Sequence, residues 1–366
     1  MKITDVKTYA VKGRHYPRFP MVFIEVETDE GISGLGESLL FHASGIVEAI
    51  HAMKGMLIGE DPFNVEKLYE RMYRQGNPSP AISGIEIALW DIIGKSLGVP
   101  IYKLLGGRCR DKIRVYCDGF FRGASYNPEE YMAKAKAAVA QGFTALKMDV
   151  DEPLPSTQEL GRAISLSELH LTEELVAAVR EAVGPEIDLA IDAHGAFDIT
   201  TALALGEKLA PYDLLWFEDP VSQNNLAAMA KVAENTRIPV CTGELLQSRF
   251  EFRELFEKQA AEVIMPDVAY TGGILEMKKI AAMADTYFIL VAPHNMVGPV
   301  ATMASVHLCA CIPNFLVLEF QLGDVPYRDE LIDKPVPIEN GYLKIPEEPG
   351  LGISLNKEAV AKYLVE

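Results

Sequence analysis

The sequence has no apolar run approaching the ~20 residues that a membrane-spanning helix needs, so a membrane-embedded role is not expected. It is also short of positive charge. Its 34 Lys and Arg stand against 52 Asp and Glu, a formal net charge of −18 at pH 7. Such a surface repels phosphate backbones and anionic lipid, so neither nucleic acid nor a membrane surface is an expected partner. An anionic small molecule stays open, provided a local positive charge, above all a metal, receives it. Cysteine is scarce: Cys109, Cys117, Cys241, Cys309 and Cys311. An odd count without framework spacing excludes a disulfide scaffold and reads as reduced thiols in a cytoplasm. Cys309 and Cys311 sit in an apolar stretch and read as core. Met1 to Val11 alternates polar and apolar residues and holds no signal-peptide-like run. Low-complexity segments are absent.

What is present is a chain of 366 residues, 49% hydrophobic, able to bury a large core. That length suits a large barrel plus a second module. Ile3–Val11, Met21–Thr28 (MVFIEVET) and Ile32–Ser38 read as strands, with a turn at Asp29-Glu30-Gly31 and glycines at Gly34 and Gly36. Helical patterns follow at Val65–Arg74 and Gly84–Leu97. These give an α+β unit over residues 1–110, with a junction at Leu104-Leu105-Gly106-Gly107-Arg108.

Beyond it, short apolar runs alternate with helical stretches such as Pro128–Ala140, Thr172–Val183 and Ile199–Leu209. The runs are Ile113–Cys117, Ala145–Met148, Ile187–Ile191, Leu214–Phe217, Pro239–Thr242, Glu262–Met265, Phe288–Ala292 and Phe315–Leu318. Apolar strands alternating with helices imply a parallel sheet, and eight of them a (β/α)8 TIM-type barrel over residues 111–339. The stretch Asp151–His170, with Pro153 and Pro155, is expected to be an extra loop over the barrel mouth. Asn340–Glu366 resumes a β-rich pattern and is expected to return to the N-terminal unit.

In such a barrel the active site lies at the C-terminal ends of the strands. The runs here end on Asp118; Lys147 and Asp149; Asp192 and His194; Glu218 and Asp219; Glu244; Asp267; His294; and Glu319. Strand ends are often polar, but here every one is charged or carries histidine. From Asp192 to Glu218 is 218 − 192 = 26 residues, and from Glu218 to Glu244 is 244 − 218 = 26. One β/α repeat therefore separates each pair, which sets three carboxylates on adjacent strands at one rim. Crowded carboxylates repel unless a cation neutralises them, and oxygen-only ligands select a hard ion such as Mg²⁺. Ordinary loop carboxylates paired with Lys or Arg are the plainer reading. Asp267 is placed to orient His294 as a general base. His194 is a fourth metal ligand or a proton donor. Lys147 either pairs with a core carboxylate or meets a substrate carboxylate. Glu319 is a hydrogen-bond donor if protonated.

Taken together, the order of these features resembles the enolase superfamily, close to its mandelate racemase-like branch. The resemblance covers almost the whole chain: Ser83–Gly107 (SGIEIALWDIIGKSLGVPIYKLLGG), Asp192, WFEDP, TGE, MPD with Gly272–Ile274 after it, and APHN. It implies Asp192, Glu218 and Glu244 as Mg²⁺ ligands, Asp267–His294 as a catalytic dyad and Glu319 as a donor to a substrate carboxylate. Racemases of this branch carry Lys-x-Lys after the second strand. Here Lys147-Met148-Asp149 puts Asp149 where the second lysine would serve as a base, which argues against a two-base racemase. Asp149 is left as a proton-balancing or hydroxyl-binding residue. With His194 and His294 facing one another, the resemblance points to dehydration of an aldonate, the Mg²⁺-bound sugar acid losing its C2 proton and then its 3-hydroxyl. A racemase or epimerase of a 2-hydroxy acid and a non-catalytic sugar-acid-binding barrel are the alternatives. Specificity is expected from the N-terminal unit, at Arg14, His15, Tyr16 and Arg18 and at Gly76–Pro80, although solvated loops explain these residues equally well. A homo-oligomer is expected from the same resemblance.

Overall fold

The computed structural model describes residues 1–13, 19–39, 45–336 and 338–365. Strands β1 (Ile3–Val11), β2 (Met21–Thr28) and β3 (Ser33–Ser38) form an antiparallel sheet in that order. Side chains alternate across a strand, and β2 uses both faces. Val22, Ile24 and Val26 pack with Ile50, Met53, Leu68 and Ile85 in a core of the N-terminal unit. Met21 and Phe23 join the larger core that continues into the barrel. The helix Ser79–Leu97 lies against β3. The glycines of that strand permit the approach, because a Cβ at Gly34 or Gly36 would overlap the backbone carbonyl of Ala88 or Gly84.

The eight expected runs are the eight parallel strands of a (β/α)8 barrel: β4 (Lys112–Asp118), β5 (Ala145–Asp149), β6 (Asp188–Asp192), β7 (Phe217–Glu218), β8 (Val240–Thr242), β9 (Val263–Ile264), β10 (Leu290–Val291) and β11 (Leu318–Gln321). The ring closes through β11 on β4 and a parallel bridge from Val291 to Phe315. Tyr116, Ala145, Ala190, Trp216, Cys241, Val263, Met265, Ala292 and Val317 form a separate cluster contributed by all eight strand positions. It fills the barrel beneath the site, with Tyr116 and Trp216 edge to face at 5.3 Å.

Several elements differ from the sequence reading. The helix expected at Thr172 begins at Leu166, because Ser165 and Glu168 form a reciprocal capping box that starts it earlier. The expected loop over the mouth is therefore shorter, and it contains a helical turn at Pro155–Gln158. Phe288 is not in a strand: it has φ 58°, lies 95% exposed, and precedes β10. Gly76–Pro80 is only in part a loop. Ser79 and Pro80 open the helix Ser79–Leu97 and are buried, while the Asn77 side chain donates to Met72 O at 2.8 Å.

The C-terminal stretch divides its contacts. β12 (Ile338–Glu339) and β13 (Tyr342–Lys344) form a hairpin whose second strand pairs antiparallel with the start of β4. Further on, Leu364 bridges Val11 of β1, and Tyr363 O accepts from Lys12 N–H at 2.9 Å. Among the described residues no helix is long and apolar enough to cross a membrane.

Candidate active site

Register places the acidic row. Asp149 of β5 lies opposite Asp192 of β6, and Asp192 opposite Glu218 of β7. Lys147 is two residues earlier on β5 and so points to the same side as Asp149. Its ammonium rises into the carboxylates, 2.7 Å from Glu218 Oε1, 3.1 Å from Asp192 Oδ2 and 3.4 Å from Glu319 Oε1. Burial alone pulls Lys147 down, but Glu218, Glu319 and Asp192 outweigh it and hold the ammonium well above its ordinary value. Trp216, just before β7, donates its indole N–H to the other Glu218 oxygen at 2.9 Å.

Asp267 and His294 come together across neighbouring strand ends, with His294 Nδ1 2.7 Å from Asp267 Oδ2. Ala269 N–H donates to the second Asp267 oxygen at 2.7 Å and fixes the carboxylate. The other imidazole nitrogen, Nε2, faces Glu244 at 3.3 Å and Glu319 at 3.8 Å. Burial lowers the His294 pKa, yet Glu319, Glu244 and Asp267 together push it up to about 10. Glu319 accepts from Asn295 N–H at 2.7 Å and from Gln321 Nε2 at 3.0 Å. Against burial, Lys147 and His294 hold its carboxyl below the usual range, and it accepts both bonds as a carboxylate.

His194 has the same arrangement on the opposite flank. Its Nδ1 is 2.9 Å from Asp151 Oδ1 and its Nε2 3.6 Å from Asp192 Oδ2, while its own N–H donates to Asp192 Oδ1 at 2.9 Å. Asp192, Asp149 and Asp151 raise its pKa against the pull of burial. The side chain is 44% exposed, so solvent screens part of that effect.

One cavity of about 540 Å³ collects Lys147, Asp149, Asp192, His194, Glu244, His294 and Glu319. Glu218 is fully buried beneath it, both oxygens engaged. Arg14, His15, Tyr16 and Arg18 lie outside the described residues. Sequence reasoning gave no role to Asp118, Arg122 and Gln321, which also line the cavity. Arg122 donates to Asp118 Oδ2 at 3.0 Å, and Gln321 Nε2 to the same oxygen at 2.6 Å. The strand-end rule signals Asp118. Nothing in the local sequence signals Arg122. Asp219, buried and at φ 38°, accepts from Thr242 and, at 2.5 Å, from Gln223.

The walls carry more carboxylates than cations, so an organic anion needs an added positive charge to bind. Asp149, Asp192 and His194 offer ligand atoms within 4.8 Å of one another. Of the three carboxylates expected to hold the ion, Asp192 belongs to this set and Glu244 shares its cavity, while both Glu218 oxygens are taken by Lys147 and Trp216; carboxylate and imidazole donors of this kind suit a divalent cation.

An Asp–His pair and a carboxylate cluster thus meet at the strand ends of a capped barrel, the face on which barrel enzymes carry their active sites. Residues 130–360 match the model of the enolase C-terminal domain-like family. Residues 8–106 match that of the mandelate racemase/muconate lactonizing enzyme N-terminal domain. The D-xylonate dehydratase of Haloferax volcanii is 39% identical over 377 residues, spanning 100% of this chain and 89% of that protein. The D-galactonate dehydratase of Ralstonia pickettii is 36% identical over 98% of this chain and 94% of its own length. The crystal structure of a mandelate racemase/muconate lactonizing enzyme-like protein from Rubrobacter xylanophilus superposes with a TM-score of 0.91 at 41% identity, covering 100% of this chain and 98% of that one. The chain belongs to the enolase superfamily, in its mandelate racemase-like branch, and within it stands among the hydro-lyases.

Proposed function

We propose that the protein dehydrates an aldonate to a 2-keto-3-deoxy acid, with Mg²⁺ held by Asp192, Glu218 and Glu244. The observation that carries this reading is the pair of imidazoles on one cavity. Each has Nδ1 beside a carboxylate and Nε2 turned toward the carboxylate cluster. A cation held there would supply positive charge toward the substrate carboxylate and the enediolate. Glu244 would be one of the residues holding the cation, which would leave the His294 proton with one acceptor fewer, and His294 serves as the base. His294 Nε2 takes the C2 proton while Asp267 holds Nδ1. Lys147 faces the substrate carboxylate, and Glu319 donates to it once protonated. The C3–O bond breaks with a proton from His194, water leaves, and the enol ketonises. Asp149 binds a hydroxyl or balances the proton inventory.

Residues 1–110, with 340–366, act as the cap, and 111–339 carry the chemistry. Arg14, His15, Tyr16 and Arg18 are proposed to read the sugar hydroxyls. Relatives named for D-xylonate and D-galactonate support an aldonate as substrate class.

The test is a screen of the protein with Mg²⁺ against a stereochemically complete aldonate library, xylonate and galactonate included, read as keto acid by semicarbazide. His294→Asn is expected to abolish both turnover and C2 proton exchange. His194→Asn is expected to abolish dehydration while exchange persists. Exchange without keto acid from the native protein would replace dehydration by epimerisation, and binding without either would leave a non-catalytic barrel.

A further inference from the structure

The two loops that carry the dyad are held from outside the barrel. The loop after Asp267 enters the helix Ile274–Thr286, and the loop after His294 enters the helix Pro299–Cys311. The first N–H groups of a helix have no partner within it. The N-cap residues here are Gly273 and Gly298, which have no side chain to offer. Two carboxylates of the capping domain take these groups instead. Glu86, on Ser79–Leu97, accepts from Ile274 N–H at 2.7 Å and Leu275 N–H at 3.0 Å, and the Trp90 indole N–H fixes it at 2.7 Å. Ser83, nearly one turn earlier, accepts from Gly272 N–H at 2.8 Å. Glu37 of β3 accepts from Gly298, Val300 and Ala301 N–H at 2.5, 3.1 and 2.9 Å. A Cβ on Gly273 would overlap Glu86, and one on Gly298 would overlap Glu37. The glycines leave the space that the carboxylates occupy. A further cross-domain bond runs from Leu39 N–H to Ala269 O at 3.1 Å, and Ala269 N–H in turn holds Asp267.

We infer that Glu86 and Glu37 are positioning residues through which the capping domain sets the Asp267–His294 dyad, each gripping the start of the helix behind one dyad member. A carboxylate suits the task. It accepts several N–H groups at once and favours the positive end of the helix dipole, whereas an amide would turn its NH₂ toward a donor. Displacement of a reacting group by ~1 Å costs about 10²-fold in rate. The inference rests on the reading of His294 as the base.

The test uses the full-length Mg²⁺-loaded protein and the variants Glu86→Gln, Glu37→Gln and Asp91→Asn, with Ser83→Ala as a milder change. Asp91 is the control. It too is a buried capping-domain carboxylate, accepting from Leu35 and Leu351 N–H at 2.8 Å each, but it touches neither dyad loop. Glu86→Gln and Glu37→Gln are expected to lower kcat by about ten-fold or more, while KM and metal affinity stay within about two-fold. Ser83→Ala should lower kcat by a smaller factor, and Asp91→Asn should lower the melting temperature and leave kcat unchanged. Loss of kcat in step with melting temperature across all four variants would overturn the inference, as would unaltered kcat in both glutamine variants. Amide hydrogen exchange gives a reading that needs no substrate. Residues 265–271 should exchange faster in Glu86→Gln, and residues 292–297 faster in Glu37→Gln. A native protein that turns over no aldonate sinks the dehydratase reading, whereas unchanged exchange in these segments sinks the positioning role independently.

Discussion

Lys147 carries its ammonium into a ring of buried carboxylates, with Glu218 2.7 Å away and Asp192 3.1 Å away. Removing one partner of a buried ion pair costs about 3–5 kcal/mol, because the other charge is left uncompensated. In Lys147→Met two carboxylates lose their nearest cation at once. A divalent ion at the same cluster relieves part of that repulsion. The melting temperature of this variant should therefore fall sharply in EDTA and recover partly on adding Mg²⁺. An equal loss with and without the ion would contradict a metal at Asp192 and Glu218. Turnover should fall by about 10²-fold or more even at saturating Mg²⁺, since a charge aimed at the developing enediolate is gone.

At the scale of the element, the helix Pro299–Cys311 is tied to the cap by His307 as well as by Glu37. Tyr102 N–H donates to His307 Nδ1 at 3.4 Å, and His307 Nε2 faces Leu351 O at 3.2 Å. An imidazole that accepts at Nδ1 and donates at Nε2 is neutral. Protonation would turn Nδ1 into a donor facing a donor. Burial pushes the His307 pKa down to about 4. The unfolded chain then binds the extra proton between about pH 6.5 and about pH 4, so the stabilisation is complete above 6.5 and lost as pH falls through 4. The shift corresponds to about 3 kcal/mol. Glu37 and Glu86 act with the opposite sign. Burial raises both to about 7, and their contribution is lost as pH rises from about 4.5 to 7. The difference in unfolding free energy between the native protein and His307→Phe cancels those carboxylates. It should shrink steadily from pH 7 to pH 4 in urea titrations. A difference independent of pH would show that His307 is not held neutral.

For the whole molecule, the last residues stitch the cap to the barrel. Leu364 bridges Val11, Val365 N–H donates to Ala10 O at 2.8 Å, and the ring of Tyr363 stacks on Tyr327 at 3.7 Å. Tyr327 in turn donates to Lys12 O at 2.5 Å. Deleting residues 357–366 removes the edge partner of β1 just before the segment proposed to read the substrate. The melting temperature should drop by several degrees, and KM should rise by a larger factor than kcat falls. Calorimetry and steady-state kinetics check both. Metal binding should act on the molecule as a unit too: at about 100 times its Kd, Mg²⁺ adds about 2.7 kcal/mol to stability, and EDTA should reverse the gain.

The sequence by itself determined the barrel. Eight apolar runs, each bounded by a helix pattern, have no other way to bury both faces of their strands, and all eight are found. It also marked the charged strand ends, because backbone direction alone puts them at one rim: Lys147, Asp192, Glu244, His294 and Glu319 share a cavity. The dyad could be anticipated for the same reason, Asp267 and His294 ending neighbouring strands. What only the tertiary structure decided are contacts between groups far apart in the chain. Glu37 and Glu86 look like ordinary strand and helix glutamates until the cap docks on two helix starts some 190 or more residues away. Arg122 has no strand-end signature and reaches the cavity only because β4 and β11 close the ring beside Gln321. Glu319 is held as a carboxylate partly because Lys147, from β5 on the far side of β4, lies against it. Local pattern sets backbone periodicity, and therefore which rim a residue reaches. Its protonation and its partners follow from the charges that folding brings alongside it.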